Sequence, residues 1–436
     1  MKESRYNLFF KMNENEKDSP VIAFNGMTCA LAKMNPEDYE KFQQGREQNF
    51  YNCDETFIEQ LRHGRFVVED DCDETNILKH NLLQSRYETN RFSLTLAPTL
   101  GCNFECIYCY ETNHSDHSKM TPEVQDRIVG IVKNQIKNKG IRQLFITWYG
   151  GEPLLALDII ESLTERLTTL CQENNVRYSA NMITNGYLLS RSVIERLNAL
   201  HLKRIQITVD GPKDIHDMRR FLSGKQPTFD RIVRNIKENI DIIPIVSLRI
   251  NVDLTNYSRI DEVKELFADD IYMDKIYVYI APVDSINEQY EENKCLTMSQ
   301  FAELDNQFYD EYESSYPKPR FNACGADTPQ SMVIGPDGAI YKCWNDIGIE
   351  ENRVGSIFDK AYTYSKKYYD FLLYDVTQDE KCSECDILPI CMGGCPNRRL
   401  TESPLRCSIY KYNLEQQIRK VVNVRLSQSG MSDLVH

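Results

Sequence analysis

The chain has 436 residues, and its 51 Lys and Arg against 65 Asp and Glu give a formal charge of −14. That balance argues against a main role on nucleic-acid phosphates or anionic membrane surfaces. No apolar run reaches the length of a membrane span, and the polar start MKESRYNLFF is not a signal peptide, so a cytoplasmic protein with no membrane partner is expected.

The first ninety residues read as a small α+β module. RYNLFFKMN and PVIAFNGMTCALAKM alternate like strands, while NPEDYEKFQQ and DETFIEQLRHG read as capped helices with acidic first turns. The charged stretch VEDDCDETN joins this module to the rest of the chain. From about 92 to 282, apolar β-rich runs alternate with helical patterns. Strands are predicted at 92–99, 144–149, 178–184, 204–210, 246–252 and 275–281. Helices are predicted over 121–140 and near 156–173, 190–199, 228–240 and 259–268. Six such units imply parallel strands with right-handed crossovers. Either an open doubly wound sheet or a partial barrel fits, and periodicity does not choose. Residues 283–318 form an acidic, tyrosine-rich connector.

Unusual motifs fall at the carboxyl ends of these strands, where both architectures build their sites. APTLGCNFECIYCYE comes after the first, GGEP after the second and TNG after the third, and VDGP closes the fourth. The first of these carries Cys102, Cys106 and Cys109 in C-x3-C-x2-C spacing. Structural zinc and ordinary four-iron clusters take four protein ligands, so three thiolates leave one metal position open. A zinc site completed by His114 or His117 is the alternative. A second group comprises Cys324, Cys343 (five residues after Gly338), Cys382, Cys385, Cys391, Cys395 and Cys407. Its spacing alone would also suit a pair of zinc knuckles. Fifteen cysteines without a secretory signal point to metal or redox use rather than disulfides. Cys29, Cys53, Cys72 and Cys171 lack metal spacing and are expected to be small buried residues.

CNFECIYC resembles the C-x3-C-x-aromatic-C loop of radical S-adenosylmethionine (SAM) enzymes, with Tyr108 as the aromatic. The resemblance implies that the three thiolates hold a [4Fe–4S] cluster whose open iron takes the amino and carboxylate groups of SAM. GGEP resembles the family's loop for the methionine amino group, acting through backbone atoms of Gly150, Gly151 and Glu152. TVDGPKDIHDMRR resembles the family's Ser-x-Asp-Gly-Pro…His-Asp-x-x-Arg stretch, with Thr208 in place of the serine and Asp210 two residues on. Arg220 matches the arginine that grips the carboxylate, with Arg219 beside it as the neighbouring choice. Asn185 and Asn251 are weaker candidates for lining the site.

The second cysteine group resembles the seven-cysteine SPASM pattern. By that resemblance Cys382, Cys385, Cys391 and Cys407 hold one auxiliary cluster, and Cys324, Cys343 and Cys395 serve another, giving three [4Fe–4S] clusters in all. Two auxiliary clusters want eight thiolates and seven are present, so the second would be open to a substrate thiolate unless Cys295 or Asp327 fills it. The implied architecture is a partial (β/α)6 TIM barrel at 91–282. A peptide-recognition domain precedes it at 1–90, and the connector leads to a SPASM domain at 319–436.

The layout and the order SRYETNRFSLTLAPTLGCNFECIYCYE resemble ribosomal-peptide maturases of the ranthipeptide and sactipeptide type. The resemblance implies SAM cleavage to a 5′-deoxyadenosyl radical, hydrogen abstraction, and thioether links from Cys sulfur to carbon in a Cys-containing precursor peptide. The leader of that peptide would bind the N-terminal domain by strand addition, and a flavodoxin or ferredoxin would supply electrons. A sulfatase-maturating enzyme that makes formylglycine, and a carbon–carbon crosslinking maturase, are the alternatives. An iron–sulfur electron carrier would explain the cysteines but not the strand-end motifs.

Overall fold

The computed structural model describes residues 1–111, 117–285, 290–310, 316–321, 324–359, 363–403 and 405–429. The chain divides into two compact units, each assembled from separated stretches. One contains Met1–Arg86, Thr297–Ala323 and Asp375–His436; the other contains Tyr87–Leu296 and Cys324–Tyr374.

In the first unit, β1 (Lys2–Glu3) pairs antiparallel with β5 (Val67–Val68). β2 (Asn7–Lys11), β3 (Val21–Asn25) and β4 (Leu31–Met34) form an antiparallel sheet in that order. Every residue of β3 is buried because both faces of the sheet are covered. Ile22 and Phe24 pack with Ile387, Ile390, Leu414 and Ile418. Ala23 on the opposite face packs with Phe42, Phe50, Ile58 and Leu61. Each such large side chain contributes about 1.5–3 kcal/mol of burial. The helices Pro36–Glu47 and Glu55–His63 start at Asn35 and Asp54, whose side chains accept the Asp38 and Phe57 N–H groups. The stretch expected to be a joining segment instead runs into a helix at Glu74–Arg86.

The second unit carries a nine-stranded sheet. Its strands are β6 (Arg91–Leu96), β7 (Gln143–Trp148), β8 (Arg177–Thr184), β9 (Leu202–Thr208), β10 (Ile245–Val252), β11 (Ile276–Pro282), β12 (Ser331–Ile334), β13 (Ala339–Tyr341) and β14 (Gly355–Ser356). The order is β11-β10-β9-β8-β7-β6-β12-β13-β14. β6 to β11 are parallel and lie in sequence order. A doubly wound sheet reverses direction at a switch point; this sheet does not, so it winds one way, as a barrel does, and stays open. β12 adds parallel to β6, and β13 and β14 continue the sheet antiparallel.

Side chains alternate across the strands. Phe92, Leu94, Leu96, Leu144, Ile146, Trp148, Ile205, Ile207, Leu248 and Ile250 form the fully buried face. The other face presents polar groups, among them Thr95, Thr147, Asn181, Gln206 and Arg249, which are only partly buried. The helix Pro122–Lys139 takes Thr121 as its N-cap and ends at Gly140, whose φ of 64° suits glycine. The helix expected near 259–268 is shorter, reduced to a 3-10 turn at Tyr257–Arg259 and a helix at Asp261–Glu265.

Candidate active site

The loop after β6 is held by backbone hydrogen bonds to a distant segment. Glu105 N–H donates to the Phe221 carbonyl at 2.8 Å and Ile107 N–H to the Arg219 carbonyl at 3.1 Å, while Phe104 bridges Leu222. Between these fixings lie Cys102, Cys106 and Cys109, all free thiols and partly buried. Burial pushes all three thiols up, and Cys106 and Cys102 each add to the rise at Cys109. Arg220 opposes the rise at Cys106. Among the described residues, no three or more His, Cys, Asp or Glu converge as ligands of a single metal ion. Three thiols close enough to repel one another would suit the ligands of an iron–sulfur cluster. His117 packs against Gly101, and His114 lies outside the described residues.

GGEP is built for close backbone approach. A Cβ on Gly150, at φ 115°, would sit 2.3 Å from the Thr99 carbonyl oxygen, and one on Gly151 would sit 2.2 Å from that of Leu100. Glu152 is fully buried and joins the ends of β7 and β8. Its carboxylate accepts from Leu154 N–H at 3.0 Å, Thr184 hydroxyl at 2.7 Å and Asn185 N–H at 2.8 Å. Burial raises it, and these donors oppose the rise. The Asn185 amide donates to Asn103 at 2.8 Å, with Cys102 Sγ at 4.0 Å.

The ends of β9 and β10 converge on Tyr108. Its hydroxyl donates to Asp210 Oδ2 at 2.5 Å and accepts from Arg220 Nη1 at 2.9 Å and Asn251 Nδ2 at 3.0 Å. Burial holds the phenol well above its ordinary range, so it stays protonated. Thr208 is buried at the end of β9, opposite Arg249.

The two adjacent arginines have different fates. Arg219 is bound by Asp210 at 3.3 Å, Asp253 at 2.7 Å, Thr255 at 2.6 Å and the Asn251 carbonyl at 3.2 Å. Arg220 is also buried, yet its Nε has no partner. An unpartnered guanidinium edge beside Cys106 and Tyr108 fits the carboxylate of a bound SAM, so the geometry favours Arg220 over Arg219 for that role.

His216, which the TVDGPKDIHDMRR motif carries without marking it as a site residue, supports this arrangement. Burial, with Arg220 and Arg219, holds it well below the usual range, so it is neutral. Nδ1 accepts from Asp210 N–H at 3.2 Å, which leaves Nε2 to donate to Thr228 at 3.1 Å. Asp253 and Tyr290 are likewise absent from the sequence-predicted set. Burial alone would raise Asp253, but Arg219 and the Thr255 and Tyr290 hydroxyls bring it below its ordinary range. The signal available for Asp253 is its position one residue past β10, much as Asp210 stands two residues past β9.

The second cysteine group divides between the units. Cys324 and Cys343 belong to the barrel unit, and Cys382, Cys385, Cys391, Cys395 and Cys407 to the other. Cys407 and Cys385 both push Cys391 up, after burial. These thiols thus also face one another. In the barrel unit, burial brings Lys342 down to about 7, opposed by Cys324 and Asp327. Its ammonium donates to the Thr328 carbonyl at 2.6 Å and the Ser331 carbonyl at 2.7 Å. Cys295 is raised by burial and then by Asp284 and Asp253.

Comparison with known proteins adds the family. Residues 96–267 match the model of the Radical SAM superfamily. A cysteine-type anaerobic sulfatase-maturating enzyme of Clostridium perfringens is 22% identical over 76% of this chain and 98% of its own. The structure of anSMEcpe with bound AdoMet and Cp18Cys peptide superposes with a TM-score of 0.59 at 21% identity, covering 77% of this chain and 98% of that one. Streptococcus suis SuiB bound to precursor peptide SuiA gives 0.54 at 16% identity, covering 94% of this chain and 99% of that one. No helix among the described residues is long and apolar enough to cross a membrane. With a one-way parallel sheet, three thiols at the end of its first strand and the family model that matches residues 96–267, this part of the chain is a radical SAM domain, and the protein is an enzyme.

Proposed function

We propose that the protein is a cytoplasmic peptide maturase that forms thioether links between Cys sulfur and carbon atoms of a ribosomally made precursor peptide. The observation that supports the precursor-peptide part of this reading is the reach of the SuiB likeness, while the thioether link rests on the sequence resemblance to ranthipeptide and sactipeptide maturases. The SuiB likeness spans 94% of this chain, and that structure holds a precursor peptide, whereas the anSMEcpe likeness spans 77%. The polar concave face of the barrel sheet suits a peptide backbone.

In this reading Cys102, Cys106 and Cys109 hold the SAM-binding [4Fe–4S] cluster, and the second cysteine group holds two auxiliary clusters. When bound, the cluster and SAM supply one-electron hydrogen abstraction from an unactivated carbon. Arg220 holds the SAM carboxylate with its unpartnered edge. Backbone atoms of Gly150, Gly151 and Glu152 hold the amino group, and Asn185, Thr208 and Asn251 line the rest. Asp210 and Tyr108 keep Arg220 in place. The peptide loses two hydrogens overall: one as a hydrogen atom passed from carbon to the 5′-deoxyadenosyl group derived from SAM, the other as the thiol proton, released to solvent, while the electron freed as the carbon–sulfur bond closes would pass to an auxiliary cluster. A flavodoxin or ferredoxin supplies the priming electron. The domain at 1–90 receives the leader along an open edge of its three-stranded sheet, β2 or β4.

The test is mass spectrometry of Cys-containing candidate precursor peptides after anaerobic incubation with reconstituted enzyme, SAM and reductant. Loss of two hydrogens, with the Cys no longer alkylatable, supports thioether formation. The same loss with every Cys still alkylatable points to carbon–carbon linkage. A second reading, formylglycine formation, draws on the sulfatase-maturating relatives; it predicts an aldehyde in place of the Cys thiol.

A further inference from the structure

One cation outside the barrel mouth is placed as deliberately as Arg220. Arg406 is 8% exposed, and its Nη2 donates to Cys382 Sγ at 3.2 Å and to Asp379 Oδ2 at 2.9 Å. Its carbonyl accepts Cys395 N–H at 3.2 Å, and the next residue is Cys407. One residue therefore touches or adjoins three cysteines of the second group. The placement is rigid. A Cβ on Gly394, at φ 70°, would lie 1.7 Å from the Arg406 carbonyl oxygen, so only glycine allows the two backbones to approach. Asp379 in turn accepts the Cys382 N–H at 3.1 Å, closing a ring of Arg406, Asp379 and Cys382. Lys411 donates to Cys385 Sγ at 3.5 Å, but from an exposed position.

We propose that Arg406, anchored by Asp379 against Cys382, raises the reduction potential of the auxiliary cluster held by Cys382, Cys385, Cys391 and Cys407. This rests on the auxiliary-cluster assignment above. Reduction adds a negative charge to a thiolate-ligated cluster. A fixed guanidinium that donates to a ligand sulfur stabilises the more negative state. Burial strengthens the effect by lowering the local dielectric, and arginine keeps its charge at every working pH. Lys411, in water and screened, contributes less. Arg406 is a positioning and tuning residue, outside the reacting atoms.

The experiment is an EPR-monitored redox titration of the full chain carrying Cys102→Ala, Cys106→Ala and Cys109→Ala, which leaves only auxiliary clusters. Iron and sulfide per chain are measured on every sample. Adding Arg406→Gln should move one auxiliary midpoint to more negative potential with iron unchanged, and Arg406→Lys should restore part of the shift. Lys411→Gln should give a smaller shift. Unchanged midpoints with full iron in Arg406→Gln overturn the proposal and leave the cluster assignment standing. A background protein that binds no auxiliary iron overturns both. If Arg406→Gln alone loses iron, the charge-retaining Arg406→Lys decides: full iron at the parental midpoint supports the role of charge, and loss of iron there too contradicts it.

Discussion

Two buried aspartates, one in each unit, are held on opposite terms. Asp253, at the mouth of the barrel, is matched by Arg219 and two hydroxyls and sits below its ordinary pKa. Asp305 lies on the helix Met298–Phe308, against the helix Tyr410–Ser429. It receives only amide donors, from Asn413 at 3.3 Å and Gln417 at 3.4 Å, and burial raises it to about 6. Lys420 opposes that rise from a position where its ammonium caps the Asn306 and Tyr309 carbonyls. The contrast teaches that burial by itself does not mark a site. Around Tyr108 the buried charges of Asp210, Asp253 and Arg219 are matched, while Arg220 keeps an unpartnered Nε that is left for a ligand.

Removing either carboxylate tests this contrast, and the two effects should have opposite signs. Asp253→Ala leaves Arg219 with half of its buried charge pairing. It should destabilise the barrel unit by about 3–5 kcal/mol, read by denaturant unfolding. Asp305→Asn should stabilise the protein at pH 8 by about 3 kcal/mol, since one pKa unit corresponds to about 1.36 kcal/mol. The sign comes from its raised folded pKa: its stabilising proton is fully present below the unfolded value and is lost as pH rises through about 6. The variant should therefore lose the fall in stability between pH 4 and 6. A destabilised Asp305→Asn protein at pH 8 would break the comparison.

Arg220→Gln should weaken SAM binding by roughly 10–150-fold, the equivalent of about 1.5–3 kcal/mol for a charged hydrogen bond, while unfolding changes less than in Asp253→Ala. Equilibrium binding to the reconstituted protein checks this. The smallest effect is expected at the surface, where Arg196 pairs with Glu161 at 2.6 Å. Arg196→Ala should leave thermal unfolding unchanged within error, because an exposed pair is screened by solvent.

Much of the barrel could be read from the sequence. Its strands carry regular alternation, and its motifs fall where parallel strands end. The choice between barrel and doubly wound sheet was not legible, since it depends on which strand lies beside which. The addition of β12 to β6 was hidden for the same reason: their hydrogen bonds join segments more than two hundred residues apart. Adjacent arginines look alike in sequence, and partners beyond another strand, Asp253 and Thr255 among them, separate Arg219 from Arg220. The helix at Glu74–Arg86 was obscured by the acidic run that leads into it, although Glu74 itself is buried and accepts from the Ser4 hydroxyl at 2.7 Å.

The central claim is that the strand-end loops of the barrel form a SAM-cleaving site built on Cys102, Cys106 and Cys109. The most direct measurement is 5′-deoxyadenosine released per chain by anaerobically reconstituted protein with SAM and dithionite, set against the Cys102→Ala, Cys106→Ala, Cys109→Ala protein. Release by the native sequence and none above background by the variant is the predicted result. Equal release by both, or none from the native protein with its iron in place, would contradict the account.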